Sequence, residues 1–163
     1  MQKSMNIRFA EGNDTRLILA FIRELADYEN LLAEVTATEE LLRKTIFEDR
    51  KAEVIIGEVD GEPVAFALFF SNFSTFLGKP GLYLEDLYVK EGYRGYGFGK
   101  QLLSFLANLV IERDYGRLEW WCLDWNKPSI DFYKKMGAEP MDEWTVFRLT
   151  GKELQQVAAG NSD

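Results

Sequence analysis

The chain has 163 residues, 19 Lys and Arg against 27 Asp and Glu, a net charge of −8, and 47% hydrophobic and 28% charged residues. This is globular composition for a single domain, expected over residues 5–158, and the acidic balance argues against sequence-independent nucleic-acid binding, which needs clustered cations. The absence of histidine excludes Ser-His-Asp and Cys-His catalysis and every His-containing zinc site; the single cysteine leaves no intrachain disulfide and no thiolate metal cage, and it fits a reducing, cytoplasmic setting.

No apolar run approaches the about 20 residues that span a bilayer. Met1 to Asn6 is followed by no apolar stretch of the kind a signal peptide carries. Asn6 to Ala10 reads as a first strand. A helix follows, capped by Asn13 or Asp14, with Leu17, Ile18, Phe21, Ile22, Leu25 and Tyr28 on one face. Thr38 to Phe47 reads as a second helix. Ala52 to Val59 and Pro63 to Asn72 are strands joined by Asp60-Gly61, a two-residue hairpin signal. Ser71 to Gly81, small, polar and aromatic, reads as a loop, and Leu82 to Val89 as a strand. A glycine-rich turn opens a helix over Gly97 to Glu112, and Arg117 to Leu123 is strand-like. Asn126-Lys127-Pro128 starts a helix that Gly137 stops. Glu143 to Leu149 reads as a last strand, and Thr150 with Glu153 as a capping box for a final helix. The order predicts an α/β fold, one mixed sheet with helices on its faces.

The turn Arg94-Gly95-Tyr96-Gly97-Phe98-Gly99-Lys100 joins a strand to a helix. Glycine lets backbone approach a ligand, and a helix N-terminus offers unpaired N–H groups, which together suit a phosphate or pyrophosphate. A P-loop is excluded because Lys100 is followed by Gln101 and Arg94 holds the first glycine's place. A dinucleotide fingerprint fails because Lys100 stands where its last glycine belongs. What remains, Arg94 with Gly97 and Gly99, matches Arg/Gln-x-x-Gly-x-Gly/Ala.

That spacing resembles the acyl-CoA motif of the GCN5-related N-acetyltransferase superfamily. Tyr83 to Val89, Asp124-Trp125-Asn126, Phe132-Tyr133-Lys134, Gly137-Ala138 and the early Arg23 to Glu29 are similar to the diamine acetyltransferase branch, which acts on spermidine and spermine or on thialysine. The resemblance runs through nearly the whole chain and implies the acyltransferase fold and direct acetyl transfer from acetyl-CoA to a primary amine. It implies that backbone around Arg94, Gly95, Tyr96, Gly97, Phe98, Gly99 and Lys100 holds the pyrophosphate. Leu87, Tyr88 and Val89 would pair with the pantetheine arm, and Asn126 and Ser129 would face the cofactor. A homodimer is usual in the branch.

Tyr133 matches the family's general acid; its phenol, with an ordinary pKa of about 10, can protonate the departing sulfur. Glu85 matches the position of the base. On a buried strand beside Tyr83 and Leu84, desolvation would raise its pKa. Asp86 would project to the opposite sheet face if the strand were regular, a bulge would change that, and a supporting role is assigned to it. Cys122, among large apolar residues and with no histidine to activate it, reads as a small hydrophobe. Glu34, Glu39, Glu40 and Glu48 read as solvated helix faces, and no metal is expected. Substrate contacts are expected from Tyr28, Glu29, Glu85, Asp86 and Phe76. Phe66, Phe69 and Phe70 read as core, whereas Phe73 and Phe76 could line the amine pocket. Ser74 stands where the spermine-acting group carries an aspartate, and Phe73-Ser74-Thr75-Phe76 is closer to the thialysine group. The expected substrate is a small cationic amine, with a peptide amine or a non-catalytic acyl-CoA-binding role as alternatives.

Overall fold

The computed structural model describes residues 3–160; Met1 and Gln2, which enter the reading of the N-terminus, lie outside the described residues. The chain divides into two compact units, one ending at Trp121 and the other beginning at Cys122.

The first unit is built on a five-stranded sheet in the order β1-β2-β3-β4-β5. These are β1 (Asn6–Phe9), β2 (Glu53–Val59), β3 (Glu62–Ser74), β4 (Lys79–Val89) and β5 (Leu118–Trp120). Successive neighbours pair antiparallel except β4 and β5, which run parallel, so the sheet is mixed as expected. Asp60 and Gly61 both take positive φ, 53° and 79°, the turn that matches strand twist and brings β3 back along β2.

Strand alternation separates two faces. Ile56, Phe66 and Tyr88 lie side by side in the ladder and meet α1 (Thr15–Tyr28) through Ile18, Phe21 and Leu25. Phe21 stacks on Phe66 at 5.0 Å between ring centroids. Burying each such aromatic is worth about 1.5–3 kcal/mol, and the paired rings about 0.5–1.5 kcal/mol more. Ile55 and Phe9, opposite one another, face the other way, where Phe9 meets Phe105 of α3 (Phe98–Glu112) edge-on at 5.7 Å. Helices therefore cover both faces. Arg8 pairs with Asp14 at 2.8 Å and Glu58 at 2.9 Å, which ties β1 to the start of α1; Asp14 is occupied in this way and by the Glu11 N–H, and caps no N–H of α1.

Several expectations are corrected. Ser71 to Gly81 is not a loop: β3 and β4 stay paired to Ser74 and Lys79, leaving a turn of four residues between them. The second helix is α-helical only at α2 (Glu39–Leu42), then widens into a π-helical turn over Arg43–Glu48. The Arg117 to Leu123 run pairs only at Leu118–Trp120.

The second unit holds α4 (Lys127–Lys135) and α5 (Gly151–Ala158). Asn126 caps α4, accepting the Ser129 N–H at 3.4 Å, and Gly137 ends the following turn at φ 91°. Glu143 to Leu149 forms no ladder among the described residues; it is exposed, Phe147 to 91%, so nothing on this stretch selects the strand its composition favours. Thr150 precedes α5 without a side-chain cap bond. No described helix is long and apolar enough to cross a membrane.

A polar crossing fixes β5. Asn72 Nδ2 on β3 donates to Glu119 Oε1 on β5 at 3.1 Å, reaching over Gly81 of β4, where a Cβ would stand 2.4 Å from Asn72 Oδ1. Gly81→Ala should destabilise by about 1–3 kcal/mol in denaturant titration, and Asn72→Ala in the same chain should relieve part of that loss.

Candidate active site

Leu82, Leu84 and Leu87 are spaced by two and then by three residues, one more than a regular strand allows for a single face. The ladder shows why. Leu68 opposes Asp86 while Phe69 opposes Leu84, so Glu85 is an extra residue in a β-bulge. Counting down from Tyr88, Asp86 falls on the α1 face; counting up from Leu84, Glu85 falls there too. The bulge thus brings two consecutive carboxylates to one face, and Asp86 does not project away as a regular strand would require.

A third carboxylate comes from the end of α1. Asn30, at φ 60°, stops the helix, and Leu31 N–H bonds Ala26 C=O at 2.8 Å, the left-handed helix stop with asparagine in the place of glycine. This leaves Glu29 at the helix terminus and Tyr28 partly exposed. Burial raises the pKa of Glu29. Asp86 is pushed up to about 7, first by burial and then by the charges of Glu85 and Glu29. Glu85 itself is exposed, so the burial expected at Glu85 is met at Asp86 instead.

The same bulge ends the pairing of β4 with β5. Leu84 opposite Trp120 is the last pair, and residues 85–89 have no strand on that side among the described residues. On that side the strand is an open edge over Leu87, Tyr88 and Val89, where alternate N–H and C=O groups can take an amide-bearing chain. Beyond it lies the glycine turn. Gly95 and Gly97 both adopt φ 82°, which only glycine takes without strain, and a Cβ at either would meet nothing within 4 Å. Gln101 N–H is bonded to Gly97 C=O at 3.0 Å, so the N–H groups of Phe98, Gly99 and Lys100 precede the first intrahelical bond and have no acceptor in α3. Open space, left-handed glycines and free donors fit a pyrophosphate.

Around this cradle the side chains differ from expectation. The Phe98 ring is buried, so only its backbone can serve a ligand. The Arg94 guanidinium lies over Tyr28 at 4.7 Å and Tyr88 at 5.5 Å, and its Nε donates to Val89 C=O at 2.9 Å. It braces the turn against α1 and β4. Lys3, which sequence reasoning passed over, sits 4.8 Å above Tyr93 and 5.0 Å above Tyr96. Nothing in a lone basic residue near the start of the chain signals that placement.

Phe76 is 98% exposed at the hairpin turn, and the rise along the strand from Lys79 to Glu85 puts that turn about 20 Å from the carboxylates. The chain does not bring its own Phe76 to them. Ser74 is buried and accepts the Leu77 N–H at 3.2 Å, a turn bond and not a substrate contact.

In the second unit Tyr133 lies on α4, half-buried, its ring 5.6 Å from that of Phe132. Asn126, expected to face the cofactor, is buried as the cap of α4 and engages Ser129. Cys122 follows β5, half-buried.

The model of the acetyltransferase (GNAT) family matches residues 19–138. The chain is 37% identical over 164 residues to a thialysine N-epsilon-acetyltransferase of Bos taurus, covering 93% of this chain and 96% of that one. It is 32% identical over 197 residues to an L-ornithine N5-acetyltransferase of Arabidopsis thaliana, covering 93% and 86%. Among solved structures, an integron cassette protein from V. cholerae superposes with a TM-score of 0.79 at 28% identity, covering 95% of this chain and 98% of that one.

A carboxyl that keeps its proton to about pH 7 when folded, and to about 4 when unfolded, makes folding less favourable as pH rises between those values. Asp86→Asn should therefore be more stable than the parent above pH 7, by about 1–3 kcal/mol given partial exposure, with the gain vanishing toward pH 4. Thermal unfolding of both proteins across that range measures it.

Proposed function

As a member of the acetyltransferase (GNAT) family, the chain is an N-acetyltransferase that moves acetyl from acetyl-CoA to a small amine, and we propose that this amine is thialysine- or lysine-like, or a short diamine. The observation that carries the reading is the group of Glu29, Glu85 and Asp86 beside the open edge of β4. Three carboxylates on a chain of net charge −8 concentrate cations at that place. The substrates named for the bovine and Arabidopsis relatives, thialysine and L-ornithine, are compact amino acids with a side-chain amine. Ser74, buried in its turn, supplies no carboxylate for the distal ammonium of a long polyamine.

Acetyl-CoA would be held by the 87–89 edge and by the N–H groups of the turn from Gly95 to Lys100, with Asn126 and Ser129 as further contacts; it supplies the activated acetyl group. Tyr133 is proposed as the acid that protonates the departing sulfur. Its support is the motif Phe132-Tyr133-Lys134 before Gly137. Direct transfer is proposed, with no acyl carrier at Cys122. We further propose that residues 5–158 act as one N-acetyltransferase domain, since the family match crosses from one unit into the other. A cytoplasmic setting is supported by the lone cysteine. A homodimer is supported by the exposed apolar turn of Phe73, Phe76 and Leu77, which a second copy would cover.

Acetyl-CoA should raise the melting temperature of the protein, and Gly97→Asp, which puts a carboxylate in the cradle, should abolish that shift. Tyr133→Phe should keep the shift and lower kcat by about 10²–10⁴-fold. Near-normal turnover would leave Tyr133 a packing residue, and an acetylated Cys122 with ping-pong kinetics would overturn direct transfer. A panel of thialysine, lysine, ornithine, putrescine, spermidine, spermine and peptides tests the substrate. Compact amines should lead in kcat/KM; a tenfold lead for spermine would restore the polyamine reading, and activity on peptides alone would replace the small-molecule one.

A further inference from the structure

We propose that Arg117 binds the α-carboxylate of the substrate, so that the amine this protein acetylates belongs to an amino acid and not to a diamine or polyamine. The inference rests on the reading of the chain as an amine acetyltransferase and names the other end of its substrate.

The α1 face of the sheet continues past the carboxylates toward the hairpin turn. Strand alternation places Phe70 and Asn72 of β3 on that face, opposite Tyr83 and Gly81 of β4. Glu119 of β5 pairs beside Tyr83 and joins them. The apolar cluster packed with α1 includes Leu68 and Tyr88 but neither Phe70 nor Tyr83, both of which stay half-buried. Three rings lie across this stretch. Tyr83 is 5.1 Å from Phe70 on one side and 5.9 Å from Trp121, edge-on, on the other, and Trp121 is exposed. Burial raises the pKa of the Tyr83 phenol, and the charges of Glu85 and Glu119 add to this, so both carboxylates reach it. Such a platform suits a methylene or thioether stem.

At the far end stands Arg117. Its C=O accepts the Leu82 N–H at 2.9 Å, and its Cγ lies 3.2 Å from where a Gly81 Cβ would be, so the side chain passes over a residue that has none. Glu119 Oε1 takes the Asn72 amide at 3.1 Å and pairs with the Arg117 Nε at 2.8 Å, which fixes the guanidinium from its inner edge. The two outer nitrogens hold no hydrogen bond or ion pair among the described residues, and the side chain is 39% exposed. A guanidinium held at Nε with both Nη nitrogens available is a fork that a carboxylate can accept at two points.

The length agrees. The strand from Gly81 to Glu85 rises about 13 Å. In a lysine-like amino acid an extended chain of about 7.5 Å separates the side-chain nitrogen from the carboxyl carbon. A charge-assisted hydrogen bond of about 2.8 Å at each end brings the span to about 13 Å.

Charge makes the test sharp. On electrostatics alone, an acidic site on a chain of net charge −8 favours a dication over lysine, whose carboxylate cancels one of its two ammonium charges. Recognition of the carboxylate reverses that order. Lysine, lysinamide and pentane-1,5-diamine share one amine stem and differ at the carboxyl, and kcat/KM for the three decides between the two orders. Lysine should lead both dications by about 10–100-fold in the parent. Arg117→Gln should cut that lead to about threefold or less, through KM, and Arg117→Lys should restore part of it, since an ammonium is a point charge and not a fork. Each variant should keep the acetyl-CoA melting shift, which reports an intact fold and cofactor site; if Arg117→Gln lost it, the order in the parent would decide alone. A parent that uses lysinamide or pentane-1,5-diamine as well as lysine would overturn the assignment, and so would an Arg117→Gln protein with the parent's order of preference. A parent that binds acetyl-CoA and acetylates no amine would overturn the function on which the proposal rests, an outcome distinct from both.

Discussion

One inserted residue in β4 sets the rest of the site. Without Glu85 as an extra member of the ladder, Leu82 and Leu84 could not share a face with Leu87, and the core on the α3 side would lose its register. With it, the strand keeps its apolar residues inward on both sides of the irregularity and turns two carboxylates to the α1 face. The same place is where β5 leaves β4, so the backbone that loses its strand neighbour is the backbone next to the acidic pair. Chemistry and ligand-binding edge therefore share a single cause.

The arrangement works against stability. Gathering Glu29, Glu85 and Asp86 raises like charge where burial already disfavours it, and no cation among the described residues is paired with Asp86 to offset this. The surrounding frame carries that load. Phe21 stacked on Phe66, Arg8 shared between Asp14 and Glu58, and Arg113 paired through both nitrogens with Glu53 at 2.7 and 2.8 Å hold helices and strands rigidly on either side. Arg94 adds a clamp of its own, with one guanidinium touching the end of α1, the strand β4 and the carbonyl of Val89. The electrostatic conflict at the site is thereby set on a strand and a helix end that these contacts tie together.

Most strands and helices were legible because each carries a local signal: apolar periodicity in α1, Asp60-Gly61 between β2 and β3, alternating glycines before α3. The outer half of the β3–β4 hairpin was not, since Ser71 to Gly81 is held by pairing between strands and its composition resembles a loop. Glu143 to Leu149 is the converse case, a run with strand composition that forms no ladder among the described residues. At the site, the sequence singles out Glu29, Glu85 and Asp86, which the structure groups, but does not say which of the adjacent pair is the more buried. Glu85 and Asp86 stand side by side in sequence, and only the bulge decides which is buried; the Leu82, Leu84, Leu87 spacing carried that information but reads as noise unless a bulge is sought. The separation of Phe76 from the carboxylates of its own chain was not legible, because motif order says nothing about the length of the strand between them.

The sheet keeps its short strands outside and its long ones inside. β1 has 4 residues and β5 has 3, whereas β3 and β4 between them have 13 and 11. Short borders are poor templates for the edge-on recruitment of further chains that begins aggregation. Two stretches escape this protection among the described residues: residues 70–74 of β3, beyond the last pairing of β2, and residues 85–89 of β4. The second is the edge to which a pantetheine arm would bond. A chain resting with its co-substrate in place would thus be sealed there against its own kind, and solubility would follow the supply of the molecule that feeds the reaction.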